Sequence, residues 1–231
     1  MQLLESDFNY TPQQAIELQK ELSSQVQVCP LPIDKVHLIA GADISFNKFS
    51  STIYAGIVVM TFPELKVVEE AWVVTESRFP YIPGLLSFRE IPAIAEVWTQ
   101  LKHLPDVVVL DGQGIAHPRR MGIASHFGLL ADCPSIGCAK SVLVGTFDEL
   151  GNTKGSFANM YHKEEVVGAA LRTKTGVKPV YISIGNKITL SDALQIMLRC
   201  SNKYRIPEPT RQAHLLVNRI RLEHIQATKP I

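Results

Sequence analysis

The 231-residue sequence predicts an α/β fold in which a mixed sheet is flanked by helices, all within one domain spanning residues 1–231. Three observations predict it. Three adjacent runs rich in β-branched and aromatic residues are joined by short turns, which favours an antiparallel meander. Helical and strand-like segments then alternate, the pattern of a sheet covered by helices. No repeat, low-complexity tract or linker interrupts them, and the length suits one domain of ordinary size.

The first element is a helix over Thr11–Gln25. Thr11 is placed as N-cap, Pro12 takes the first helical position, and Gln14 completes a capping box. The meander follows as Val36–Phe46, Thr52–Phe62 and Lys66–Thr75, separated at Asn47–Ser51 and Pro63–Glu64. Leu85–Leu101 reads as a helix. Asp106–Leu110 is short and mostly apolar, as in a strand buried on both faces. A helix over Arg120–Leu130 leads to a strand at Ser135–Cys138. A strand at Pro179–Ile184 and helices over Asp192–Asn202 and Thr210–His224 complete the chain. In the last helix Ala213, Leu216, Val217 and Ile220 form an apolar stripe, and Arg211, His214, Asn218 and Arg221 gather on another side.

Composition sets outer limits. Hydrophobic residues make up 46% and charged residues 19%, with a formal net charge of +1, so the chain is neither disordered nor supercharged. Between Arg199 and Ile231, seven basic residues (Arg199, Lys203, Arg205, Arg211, Arg219, Arg221, Lys229) face only Glu208 and Glu223. This tail suits phosphate contacts or a solvated helix surface equally well. The four cysteines lack zinc-like spacing and are too few for a disulfide framework. The N-terminus has no signal-peptide pattern, and no apolar run nears the ~20 residues a membrane span needs. A reduced, cytoplasmic protein without membrane contact is expected.

Three acids stand where acids are costly. Asp43 interrupts the apolar run IAGADISF, Asp111 ends the buried strand in VVVLDGQG, and Glu90 lies in SFREIP near a helix start. Each alone suits a cap or turn. Together, with Lys140 in GCAKS and His214 on the last helix, they fit a site for a hard divalent cation such as Mg²⁺. Such sites serve phosphodiester hydrolysis. Lys140 fits either a phosphate-stabilising role or an exposed loop end. In RFPYIPGLLSFRE, Pro80 and Pro83 stiffen the chain around Tyr81. A rigidly held ring can wedge into a duplex where a base has left the stack, or can pack on the sheet. His117 and Arg119 in HPRR are expected as donors to phosphate oxygens, or as a basic helix entrance.

FPYIPGLLSFRE, VLDGQGIAHPRRMGIASH and GCAKS, in this order and after GADISF, resemble the diagnostic segments of the endonuclease V family. The resemblance runs from about Asp7 to Leu222. It implies a ribonuclease H-like fold and hydrolysis of the second phosphodiester bond 3′ to deoxyinosine, leaving a 3′-hydroxyl and a 5′-phosphate. It further implies Asp43, Glu90 and Asp111 as Mg²⁺ ligands, Mn²⁺ as a substitute, Lys140 and His214 as further catalytic residues, and Tyr81 as the wedge. Gly84, Leu85, Gly112 and Gly137 resemble the backbone pocket for the extruded base. DNA containing deoxyinosine is the implied partner, inosine-containing RNA a related one, and a monomer the working unit. Cys138 departs from the more usual aliphatic residue of the lysine motif. A structure-selective nuclease and a non-catalytic nucleic-acid-binding module are the competing classes.

Overall fold

The computed structural model describes residues 8–47 and 50–228. Asp7, the expected start of the family resemblance, and Lys229 of the basic tail lie outside them, as does part of the Asn47–Ser51 turn. Helix α1 (Pro12–Ser23) carries the expected capping box: the Thr11 hydroxyl accepts from the Gln14 N–H, and the Gln14 side chain accepts from the Thr11 N–H. The meander is β1 (Leu38–Phe46), β2 (Thr52–Thr61) and β3 (Val67–Glu76). Helix α2 (Leu86–Thr99), β4 (Val107–Leu110), α3 (Ile123–Leu130) and β5 (Ser135–Ala139) follow.

Next come β6 (Phe157–His162) and β7 (Glu165–Leu171), then β8 (Val180–Asn186), α4 (Leu190–Arg199) and α5 (Glu208–Ala227). Among the described residues the eight strands form one sheet in the order β3-β2-β1-β4-β5-β8-β7-β6. β4 runs parallel to both β1 and β5, and the other pairings are antiparallel. The mixed α/β architecture is the one the sequence predicts.

Two differences have physical causes. The hairpin β6–β7 escapes the sequence reading because its turn lacks the usual signal. Lys163 and Glu164 occupy left-handed conformations (φ 55° and 67°) that Asn or Gly normally fill. Helix α3 begins at Ile123, not near Arg120, because Arg120 is itself left-handed (φ 59°) and cannot continue a helix.

Alternation along the strands divides the core in two. Ile39, Tyr54, Val58 and Val109 pack beneath α4 and α5, against Ile196, Met197, Ala213, Leu216 and Ile220. Ala40, Ala42, Ile57 and Val108 pack on the opposite face beneath α2 and α3, against Ile91, Ile94, Trp98 and Phe127. Burying sheet faces on both sides leaves the strand ends as the natural place for a site. Gly41 decides how closely α5 approaches β1: a Cβ there would lie 1.9 Å from the Pro209 carbonyl oxygen. Only a bare backbone lets the helix settle at this depth. Among the described residues no helix is long and apolar enough to cross a membrane. Cys29, Cys133, Cys138 and Cys200 are all free thiols.

Candidate active site

The parallel pairing of β1 with β4 sets Ala42 beside Leu110, so the next residues along, Asp43 within β1 and Asp111 at the end of β4, emerge together. Asp43 shares the face of β1 that carries Gly41, the face on which α5 lies. The close seating of α5 therefore brings His214 to Asp43, with Nδ1 2.8 Å from Oδ2. Lys140, just beyond β5, places its ammonium on Asp111 Oδ2. One ligand atom from each of Asp43, Asp111 and His214 lies within 4.8 Å of the others. Glu90 enters from α2 on the wall of the same cavity, 8% exposed and outside that tight trio.

The electrostatics record this convergence. Burial, then the charges of Asp43 and Asp111, push the Glu90 carboxyl up to about 8, with Arg89 countering weakly. Burial and the charge of Asp43 also raise Asp111, and the hydrogen bond and charge of Lys140, with His214, offset this only in part. His214 is raised chiefly by its hydrogen bond to Asp43. Burial lowers Lys140, but the hydrogen bond and charge of Asp111 outweigh it and its pKa is raised, so it stays an ammonium. Acids crowded until one holds its proton near neutrality are short of positive charge. The carboxylates form a donor set that fits a hard divalent cation, and the His214 imidazole rests against one of them.

Above the acids a cavity of about 540 Å³ extends between the Tyr81 loop and the segment after Lys140. Asp43, Glu90, Asp111 and Lys140 line one part, and Tyr81, Ile82, Gly84, Gly112, Gln113, Val142 and Leu143 line others. Tyr81 is 63% exposed at the rim. It does not pack on the sheet.

The profile of the endonuclease V family matches residues 20–215. The chain belongs to the endonuclease V family. An endonuclease V from Myxococcus xanthus is 53% identical over 216 residues, 94% of this chain and 92% of the relative. The solved endonuclease V of Streptomyces avermitilis superposes with a TM-score of 0.90 at 39% identity, covering 95% of this chain and 96% of that one. The Ciona intestinalis endonuclease V, solved in complex with a 23mer DNA containing an inosine followed by a ribo-adenosine, superposes at 0.83 with 31% identity over 94% and 100% of the two chains. The fold is thus ribonuclease H-like, as the resemblance implies, and this member of the endonuclease V family is a nuclease of the hydrolase class.

Several expected contacts fall elsewhere. His117 is not free to meet phosphates: it is 4% exposed, with Nε2 3.1 Å from the Gly84 carbonyl and Nδ1 accepting the Arg119 N–H at 3.2 Å. Burial, then the charge of Arg119, pushes its pKa down to about 4, so it is a neutral structural imidazole. Arg119 also turns inward, donating to Gly84 O at 2.6 Å and to Gln19 Oε1 at 2.6 Å. In the C-terminal segment, Arg205 serves backbone carbonyls, Arg211 pairs with Glu208, and Arg219 pairs with Glu70.

Of the four pocket residues expected, Gly84 and Gly112 line the cavity. Leu85 instead buries its side chain with Ala15, Phe79 and Phe88, and its N–H is already given to Ile82 O at 2.9 Å. Gly137 lies beneath the lining. A Cβ there would stand 2.4 Å from Gly114 N, so its bareness lets the 112–114 backbone cross over β5. Sequence reasoning overlooks Gln113, Val142, Leu143, Asn218 and Gln19. For Val142 and Leu143 a signal existed, since an apolar pair in an aperiodic stretch after Lys140 has no core face to join. Asn218, whose amide lies 3.1 Å from His214 Nε2, was legible only as one turn from His214 on the same helix face.

Proposed function

We propose that this chain is a divalent-metal-dependent DNA repair endonuclease that hydrolyses the second phosphodiester bond 3′ to deoxyinosine, leaving a 3′-hydroxyl and a 5′-phosphate. One observation carries the reading: a single cavity joins a rigidly presented aromatic ring to a cluster of charge-starved carboxylates. Its volume falls within the roughly 300–1,000 Å³ typical of small-ligand pockets, room for one extruded base. The inosine-bearing DNA held by the Ciona relative supports the same substrate class.

Asp43 and Asp111, with Glu90 beside them, would hold Mg²⁺, for which Mn²⁺ would substitute. When bound, such an ion supplies Lewis-acid stabilisation of the phosphate and a more acidic attacking water. The chain's own groups do the rest. Lys140 keeps its charge and is placed to leave Asp111 for a phosphate oxygen as negative charge builds. Asp43 fixes the His214 ring through Nδ1. Tyr81 fills the space of the departed base, and Ile82, Gly84, Gly112 and Gln113 wall the pocket that receives it. The protein acts as a monomer, and inosine-containing RNA is a second substrate.

The test is a nicking assay on duplexes with and without one deoxyinosine, beside an inosine RNA. Nicking one nucleotide beyond the lesion, lost in EDTA and restored by Mg²⁺, is expected. Equal cutting of the undamaged duplex would reject the specificity, and cutting that survives chelation would reject the metal.

A further inference from the structure

Helix α1 carries no residue with an obvious part in the chemistry, yet it grips the Tyr81 loop twice. Its apolar face meets the loop through Ala15, fully buried with Phe79, Leu85 and Phe88, and Ile16 and Ile82 pack at the edge of that cluster. Its polar grip is Gln19, which is 1% exposed. Gln19 Nε2 donates to Gly84 O and to Met121 O, both at 3.1 Å, and Oε1 accepts from Arg119 Nε at 2.6 Å. Two carbonyls on the nitrogen and a guanidinium on the oxygen admit only one orientation of the amide.

The Gly84 carbonyl consequently receives three donors: Gln19 Nε2, His117 Nε2 and Arg119 Nη2. Gly84 is the third residue of a turn closed by Leu85 N–H to Ile82 O, with Pro83 second and φ at Gly84 of 78°, the type II geometry. A Cβ at Gly84 would also sit 3.0 Å from Arg119 Nη2. The turn that ends the Tyr81 loop is therefore held by buried Gln19 and His117 and by half-buried Arg119, and the ring projects from a fixed base.

We infer that helix α1 is the seat of the wedge loop and that Gln19 is a positioning residue for Tyr81, acting through the Gly84 carbonyl. The inference rests on the wedge reading given under Proposed function. A loop held in its bound conformation spares the ordering entropy otherwise lost when the ring enters DNA, so releasing the clamp weakens lesion binding more than chemistry.

The full-length protein carrying Gln19→Met, Gln19→Glu, Tyr81→Ala or Gln19→Met with Tyr81→Ala tests this in two ways. In nicking assays with Mg²⁺, Gln19→Met should raise KM for the deoxyinosine duplex by about fivefold to tenfold, the scale of one buried hydrogen bond, and leave kcat nearly unchanged. The double variant should be no worse than Tyr81→Ala alone, because the ring that Gln19 positions is already gone. Gln19→Glu keeps a partner for Arg119 but cannot donate to Gly84 O, and should behave like Gln19→Met. Without DNA, trypsin should cut faster after exposed Arg78 in both Gln19 variants. Additive losses in the double variant, an unchanged KM, rescue by Gln19→Glu or unchanged cutting at Arg78 would each overturn the clamp. If Tyr81→Ala alone leaves KM unchanged, the wedge reading fails, and the trypsin experiment still decides whether Gln19 holds the loop. Should Gln19→Met not fold, Arg119→Met, which withdraws another donor from Gly84, carries the same KM and trypsin predictions.

Discussion

The carboxylate cluster and the Tyr81 loop face one cavity but are built on opposite electrostatic terms. At the cluster, buried acids lack counter-charge: Glu90 retains its proton up to about 8, and Asp111 is raised despite the ammonium of Lys140 beside it. In the loop, neutral groups and the Arg119 guanidinium satisfy one another. His117 is held neutral, Gln19 makes three hydrogen bonds, and the Gly84 carbonyl accepts three. The contrast teaches where ligand is needed. The chemical end is stabilised by what binds it, whereas the recognition end is complete beforehand.

The largest expected effect tests the chemical end. Asp43→Asn and Asp111→Asn each remove charge the reaction requires, and at Asp111 the fold is burdened by that charge. Nicking should fall at least about a thousandfold in each, the scale of losing a principal electrostatic group, with no loss of melting temperature in EDTA for Asp111→Asn. A variant that unfolds instead would show that these acids support the fold and would erase the contrast.

Glu90→Gln sharpens it through pH. An acid whose pKa is raised on folding binds its proton more tightly in the folded state, so the fold loses stability as pH climbs from the ordinary 4.5 towards 8. In EDTA, Glu90→Gln should therefore melt above the parent at pH 8, by roughly 2–4 °C for each kcal/mol of relief, and the gap should close near pH 4. A gap that does not change with pH would remove Glu90 from the charge-starved group.

The smallest effect is expected outside both regions. Arg219, half exposed and paired with Glu70 at 2.6 Å, belongs to the basic segment whose composition suits phosphate contacts and a solvated helix surface equally. Arg219→Ala should shift stability by less than about 1 kcal/mol and leave lesion affinity within about twofold. A tenfold loss of affinity would restore the footprint reading and extend the nucleic-acid surface along α5.

The sequence was legible wherever a local rule operates. Capping chemistry announces α1, alternation announces the meander, and a charge inside an apolar strand, as at Asp43, announces a site because burial there needs compensation. Where the local signal was absent, so was the reading: Lys163 and Glu164 hide the β6–β7 turn in left-handed positions. His117 and Arg119 were misread for a different reason. An aperiodic loop does not reveal which way its side chains turn, and a basic residue suits a phosphate and a buried carbonyl alike.

By itself, then, the sequence determined the elements outside the β6–β7 hairpin, the mixed α/β class and the acids worth attention, since these follow from propensity, periodicity and desolvation acting over a few residues. Tertiary structure alone decided that Asp43 and Asp111 stand side by side, because parallel pairing links residues far apart in the chain. It likewise decided that Gln19 grips Gly84, 65 positions away. Contacts of that range depend on how helices pack over the sheet, and packing is a property of the whole chain.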